Sequence, residues 1–187
     1  MKRLITHLRH LLKSREGIVS VEFAMAMPIL LGLMLTGLEM TRYVFLHQKL
    51  ERVSTSISDL VAREEIITEA KVTDIFEITE QLMAPFDHSV NIQVIVTSLN
   101  RNTGAAATVS WQRNWGVGSH ESRFGKEGEA AAIPTNFDVR EGENVIATEV
   151  FHEFVPTFGQ DVIGPTTIEK MAIYRPRFGS LANLISD

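Results

Sequence analysis

A run of apolar residues from 18 to 38 limits what this chain can fold into more than any other feature of the sequence. As a helix with a rise of about 1.5 Å per residue, the run spans about 31 Å, which matches the ~30 Å hydrocarbon core of a bilayer. A cleavable secretory signal has a shorter apolar core followed by a small-residue cleavage site. Here the run passes directly into Glu39, so the sequence predicts a membrane-spanning helix.

The charges on the two sides of this run differ in sign. Residues 1–17 carry five Lys and Arg side chains against one Glu, a net of +4; because the whole chain has a net charge of −5, residues 18–187 carry −9. A basic leader stays in the cytoplasm while the remainder is translocated. We therefore predict a cytoplasmic leader at 1–17, a transmembrane helix at 18–38 and an extracytoplasmic helix-plus-sheet domain at 39–187.

The composition also excludes several classes of function. Nucleic-acid binding requires clustered Lys and Arg at the phosphates, so we expect no nucleic-acid partner for an acidic domain. The chain contains no cysteine, which excludes disulfides, cysteine nucleophiles and thiolate metal sites.

One carboxylate, Glu22, interrupts the apolar run near its start. A charged side chain costs roughly 2.5–3.5 kcal/mol at the centre of a membrane helix on insertion scales, and less near the interface. Two interpretations are open at this point. Glu22 lies near the cytoplasmic interface and reaches the headgroups, or it pairs with a positive charge of a partner inside the bilayer.

The residues around Glu22 follow a recognisable order. Gly17 ends the basic leader, and the next residues read IVSVEFA, with Glu and Phe at the fifth and sixth positions after the glycine. This order resembles a prepilin peptidase site. The continuation through Pro28 and a leucine-rich run to the GLEMTR segment at 37–42 resembles the TadE-like minor pseudopilins of tight-adherence (Tad/Flp) type IV pilus systems.

The resemblance implies roles for individual residues. Cleavage after Gly17 would create an α-amino group on Ile18, and Glu22 would pair with the amine of a neighbouring subunit. Phe23 and Pro28 would be further assembly determinants. Taken alone, Gly17 also fits a simple break before the helix.

The implied partners are major and minor pseudopilins, the prepilin peptidase, the pilus assembly machinery of the bacterial inner membrane, and membrane lipid. The implied location is that membrane, crossed once with the N-terminus in the cytoplasm, with incorporation into the pilus as a further option.

Beyond the membrane, two helical patterns follow. Apolar residues recur at alternating three- and four-residue steps: Tyr43, Leu46, Leu50, Val53, Ile57 and Leu60. This stripe fits either a seam against partner helices or the face that packs on the protein's own sheet. A second helix is predicted for residues 68–83, with Thr68 or Thr73 as its cap and Pro85 after its end.

Four segments alternate as β-strands do, at 90–96, 108–113, 144–155 and 167–174. We expect Val109 and Trp111 to share one face of a sheet. Arg175 and Arg177 near the last strand are expected to lie at a solvated strand end, and the alternative is a contact with the acidic body of the same protein or of a partner. Residues 116–142 are rich in Gly, Ser and charge, which predicts a long exposed loop. The predicted fold is α+β: a long N-terminal pilin-like transmembrane helix, a second helix, and an antiparallel sheet of about four strands.

No catalytic constellation is present, and we predict no catalytic residue, metal site or cofactor. His152-Glu153 begins like a zinc-protease motif, but Pro156 occupies the position of the second histidine. The resemblance to TadE-like proteins implies a minor pseudopilin that initiates, caps or regulates a pilus. The alternative is an uncleaved, single-pass, membrane-anchored binding or adhesion protein; an anchored hydrolase is the third option.

Overall fold

The computed structural model describes residues 17–86, 91–135, 137–158, 160 and 164–186. The predicted leader, except for Gly17, lies outside the described residues. The chain forms two compact units, one up to Thr41 and one from Arg42 to Asp187.

The first helix, α1, spans Ile18–Ala62. Its apolar first part has no buried side chain between residues 18 and 34. Two threonines further along, Thr36 and Thr41, donate their hydroxyls to the carbonyls of Gly32 and Gly37 at 2.8 Å. These bonds satisfy the hydroxyl groups within the helix itself, as an apolar surrounding requires.

The second part of α1 is the central helix of the globular unit. Leu46, Leu50, Val53 and Ile57 are buried, and Tyr43 and Leu60 pack against the same cluster. The stripe predicted from sequence therefore belongs to the protein's own core and is not a seam left open for partner helices.

Helix α2 spans Glu69–Met83, as predicted. Thr68 is its N-cap, and its side chain accepts a hydrogen bond from the backbone N–H of Lys71. This bond satisfies one of the N–H groups that have no partner inside a helix. Thr73 does not cap the helix, because its hydroxyl donates to the carbonyl of Glu69 at 3.0 Å.

Four antiparallel strands form one sheet, in the order β2-β1-β3-β4. Their bounds are β1 Ile92–Asn100, β2 Thr108–Gly116, β3 Asn144–Phe154 and β4 Thr166–Tyr174. All four predicted strands and the α+β class are thus confirmed. Val90, the predicted start of the first strand, lies outside the described residues.

A β-bulge in β2 makes one sequence expectation wrong. Leu99 of β1 pairs with Val109 while the preceding Ser98 pairs with Trp111, so Ser110 is an extra residue in β2. An extra residue reverses the alternation of side chains across the sheet. Val109 and Trp111 therefore lie in different core clusters, on opposite faces of the sheet.

The segment after β2 was predicted to be an exposed loop, but some of its side chains are buried. Phe124 and Val139 are fully buried and form a second cluster with side chains of the sheet: Leu99, Ala107, Val109, Val145 and Ala147. The helices cover one face of the sheet and this segment covers part of the other. Because β1 lies in the middle of the sheet and is covered on both faces, every residue of β1 except Asn100 is buried.

The C-terminal segment is bonded to the sheet through Leu181. Its carbonyl accepts hydrogen bonds from Trp111 Nε1 at 2.7 Å and from Ser98 Oγ at 2.9 Å, and its N–H donates to Asn144 Oδ1 at 3.0 Å. Trp111 is thus a core residue, as expected for a tryptophan in a sheet.

Two arginines near the end of the chain are half exposed and also pair with carboxylates of the same chain, which is the contact that the sequence had left open as an alternative. Arg175 Nε lies 3.2 Å from a carboxylate oxygen of Glu143, and Arg177 Nη2 lies 2.5 Å from one of Asp59. Both arginine side chains are about half exposed, so each pair contributes at most about 1 kcal/mol.

The burial of Phe124 generates a stability prediction. Phe124→Ala should lower the free energy of unfolding by roughly 3–5 kcal/mol, because it leaves a cavity in a packed cluster. Urea denaturation of the full chain in detergent micelles, followed by tryptophan fluorescence, measures the loss.

The matched control is Val117→Ala, since Val117 is 60 % exposed in the same segment and its truncation should cost less than about 0.5 kcal/mol. An equal loss of unfolding free energy for the two substitutions would contradict the role of this segment as part of the core.

Candidate functional site on the N-terminal helix

Gly17 lies in a turn immediately before α1, and its carbonyl accepts a hydrogen bond from the N–H of Val21 at 3.1 Å. A Cβ added at Gly17 would meet no heavy atom within 4 Å. Folding therefore places no steric demand for glycine at this position. The location just outside the helix fits both a processing site and a simple helix boundary.

Ile18, Glu22 and Phe23 lie in the first turns of α1, and all three side chains are exposed. Residues four apart lie on the same face of a helix, and their backbones are about 6 Å apart along its axis. The structure therefore brings Glu22 next to the backbone of Ile18. Among the described residues, the Glu22 carboxylate has no ion pair.

Pro28 lies inside α1, and the helix continues past it. A proline has no N–H, so the carbonyl of Ala24 lacks its usual intrahelical partner. Such a carbonyl is tolerated in a membrane helix where neighbouring helices or local adjustments satisfy it. Pro28 is exposed, and its position leaves this side of the helix open to a neighbour.

The apolar surface of this helix has no cover within the described chain. Its most apolar 18-residue window has a mean hydropathy of 2.1, and none of the window is buried. By length and composition this is the one helix in the described part of the chain that is able to cross a membrane. Water is an unfavourable surrounding for so large an apolar surface, so this helix fits a single-pass membrane anchor.

The globular unit contains a buried carboxylate that sequence reasoning missed. Glu149, in the middle of β3, is fully buried, accepts a hydrogen bond from the Ser122 hydroxyl, and accepts another from the N–H of Arg123 at 2.9 Å. Burial raises the pKa of Glu149, and the bond from Ser122 opposes that rise. The available signal was a single charge inside the apolar run of β3.

Two histidines have lowered pKa values because they are buried. Burial lowers the pKa of His152, and burial together with the Lys170 charge lowers that of His47. His152 Nδ1 and His47 Nε2 are buried without a hydrogen-bond partner in the described structure. Their neutral forms are therefore the ones that the fold favours.

A cleft in the globular unit lies beside β2 and has a volume of about 420 Å³. Its lining mixes the cations Arg113 and Lys126 with the carboxylates Glu121 and Glu129. Arg113 is itself engaged, since its Nε lies 3.0 Å from both carboxylate oxygens of Glu69. In the described ranges, no three His, Asp or Glu side chains converge as metal ligands.

Glu149 gives a pH-dependent prediction. Because its pKa is raised in the folded state, its contribution to stability is fully present below the unfolded pKa and is lost as pH rises through the folded pKa. Glu149→Gln keeps an acceptor for the Arg123 N–H without the charge. The variant should match the native protein near pH 4 and be the more stable of the two near pH 8, in urea denaturation at both pH values.

Glu149→Ala serves as the comparison for this series, because it removes the acceptor and should be destabilised at both pH values. A Glu149→Gln variant that is less stable than the native protein at pH 8 would contradict the assignment.

The comparisons with known proteins concern the same N-terminal region. The family model of TadE-like proteins matches residues 17–56, a segment that contains Gly17, Glu22 and Pro28. No curated protein and no solved structure matches the chain significantly. TadE-like pilus components are not an enzyme family. The resemblance drawn from the sequence is therefore confirmed: residues 17–56 are TadE-like, and together with a helix of membrane-spanning length they fit a component of a Tad pilus system.

Proposed function

We propose that this chain is a minor pseudopilin of a Tad/Flp-type pilus. A prepilin peptidase cleaves it after Gly17, and the processed chain assembles with other pilin-like subunits through α1. The observation that carries the proposal is the position of Glu22: an exposed carboxylate, one helical turn from Ile18, on an apolar helix with no cover in the described chain.

The energetics of Glu22 favour an intermolecular partner. Cleavage after Gly17 would remove the basic leader and leave a cationic amine on Ile18, also at the membrane. A lone carboxylate and a lone amine each carry a desolvation cost, and a close ion pair with good geometry offsets part of both. Packing of subunits side by side would bring the Glu22 carboxylate of one to the Ile18 amine of the next.

The topology follows from the charge asymmetry. The basic leader at 1–17 stays in the cytoplasm, residues 18–38 cross the inner membrane once, and residues 39–187 are extracytoplasmic. Membrane lipid surrounds the helix before assembly. The prepilin peptidase, the inner-membrane assembly machinery and pilin-like subunits are the protein partners of this topology.

The size of the globular unit favours an initiating, capping or regulating role. The TadE-like resemblance implies that the bulk pilus subunits are much shorter chains. A unit with two covered sheet faces, from Arg42 to Asp187, adds volume at every copy, which a thin repeated filament does not accommodate. A small number of copies at a filament end or at the assembly site meets no such restriction.

The proposal predicts the N-terminus of the mature protein. Mass spectrometry of the membrane-extracted chain, from cells with an active prepilin peptidase, should find Ile18 as the first residue. Gly17→Leu should retain the leader without unfolding the chain, because nothing lies within 4 Å of a Cβ at this position.

The matched control for processing is Gly32→Ala, a second glycine with open space around its Cβ, which should be processed normally. An intact Met1 terminus on the native chain would overturn the proposal and favour the uncleaved membrane-anchored binding protein.

Glu22 gives a separate prediction about assembly. Glu22→Ala and Glu22→Gln should both be processed after Gly17 yet lose co-purification with partner pseudopilins, because each removes the charge that pairs with an amine. Glu22→Asp keeps the charge and should retain part of the association.

Ser20→Ala is the control for this series, since Ser20 is exposed on the same helical turn and carries no charge. Undiminished co-purification of Glu22→Gln would sink the ion-pair argument while leaving cleavage intact.

A further inference from the structure

Exposed apolar side chains gather where α1 enters the globular unit. Val44 and Phe45 on the helix are 45 % and 41 % exposed, and Val155 and Phe158 after β3 are 39 % and 46 % exposed. We refer to these four residues as the entry patch. None of the four belongs to the buried clusters of the globular unit.

Contacts with α1 hold the segment after β3 in place. The Tyr43 ring lies edge-on to Phe154, with the ring centroids 5.2 Å apart. Arg42 donates a hydrogen bond from Nη1 to the hydroxyl of Thr157. Val155 and Phe158, which flank Thr157, are therefore fixed at the level of Arg42 and Tyr43 on the helix.

The helical half of the patch is fixed at its other side. Phe45 packs against Phe86, beyond the end of α2, with ring centroids 5.6 Å apart. The Lys49 ammonium lies 5.5 Å from the centre of the Phe45 ring, within the range of a cation–π interaction. The surface thus combines aromatic side chains with the cations Arg42 and Lys49.

The short stretch of chain between Leu38 and Arg42 keeps this surface close to the bilayer if residues 18–38 span it. Arg42 follows Leu38 by four residues, so the chain separates them by at most about 14 Å when fully extended, and by about 6 Å as a helix. The headgroup region of one leaflet is roughly 5–7 Å thick. Val155 and Phe158, at the level of Arg42, consequently lie within reach of the headgroups. Val44 and Phe45 lie about 9–11 Å from Leu38 along the helix, at the outer edge of the same region.

We propose that the entry patch docks on the lipid headgroup region of the extracytoplasmic leaflet and provides a second membrane contact besides the anchor. This inference rests on the proposed membrane span of residues 18–38. Phenylalanine and other apolar side chains beside basic ones are the composition of segments that lie in the membrane interface. The rings enter the headgroup region toward the boundary with the acyl chains.

Docking on lipid restricts the orientations that the globular unit adopts at the membrane surface. A surface without a lipid contact allows more orientations than one that is held at the headgroups. The protein would then present a constant side to the neighbouring subunits in the plane of the membrane.

Spin labelling of the full chain tests the lipid contact. The chain has no cysteine, so Phe158→Cys and Val155→Cys each give one labelled site, in liposomes of phosphatidylcholine and phosphatidylglycerol. Collision with oxygen, which partitions into lipid, is compared with collision with a water-soluble nickel chelate. Val117→Cys, an exposed apolar site outside the patch, is the matched control, and Leu31→Cys reports on the anchor.

Labels at 155 and 158 should show an oxygen-to-nickel ratio several-fold above that at 117. A ratio at both patch sites equal to that at 117, with the label at 31 in lipid, would overturn the docking surface and leave the anchor intact. Water exposure of the label at 31 would overturn the membrane span and the inference with it. If the labels at 155 and 158 collide with neither oxygen nor the nickel chelate, the patch contacts protein, and the proposed lipid contact is wrong.

Discussion

Side chains on α1 meet two different surroundings, and the change falls between Leu38 and Leu46. Up to Leu38 the apolar side chains are exposed, apart from the half-buried Leu35, whereas from Leu46 onward one stripe of the same helix is buried in the core. The first part is stable only where something other than water covers it. The second part owes its stability to the sheet and to α2.

The globular unit reaches its stability through cover on both faces of a four-stranded sheet. The helices supply one layer, and the segment between β2 and β3 supplies the other through Phe124 and Val139. The Glu149 carboxylate fixes that segment by accepting bonds from Ser122 and Arg123. The first part of α1, from Ile18 to Met40, carries most of the large apolar side chains that are exposed in the described chain.

Periodicity was sufficient to predict the elements but not the contacts between distant segments. The stripe from Tyr43 to Leu60 and the alternation in β3 are regular, and both elements form as predicted. Phe124 and Val139 are isolated apolar residues among polar ones, so no period marks them as core. The bulge at Ser110 likewise leaves no mark in the alternation, since it depends on how β2 pairs with β1.

The resemblance of residues 17–56 to TadE-like proteins could be predicted from the sequence because the residues that carry it follow one another along the chain. Gly17, Glu22 and Pro28 all lie within the segment that matches the TadE-like model, and their spacing needs no tertiary information. The pairing of Arg177 with Asp59 joins residues 118 positions apart, and no local pattern contains it. Local order was therefore sufficient for the family resemblance, while the ion pairs of the globular unit required the fold.

Two carboxylates in apolar surroundings, Glu22 and Glu149, differ in how far their own chain satisfies them. Glu149 is buried, but it accepts two hydrogen bonds from its own chain, and its raised pKa records the desolvation that these bonds only partly offset. Glu22 lies on an apolar helix and has no ion pair among the described residues. A group satisfied by its own fold needs no further partner, whereas a lone carboxylate at the membrane favours any packing that supplies a cation. That difference is the physical argument for placing the assembly determinant on the helix.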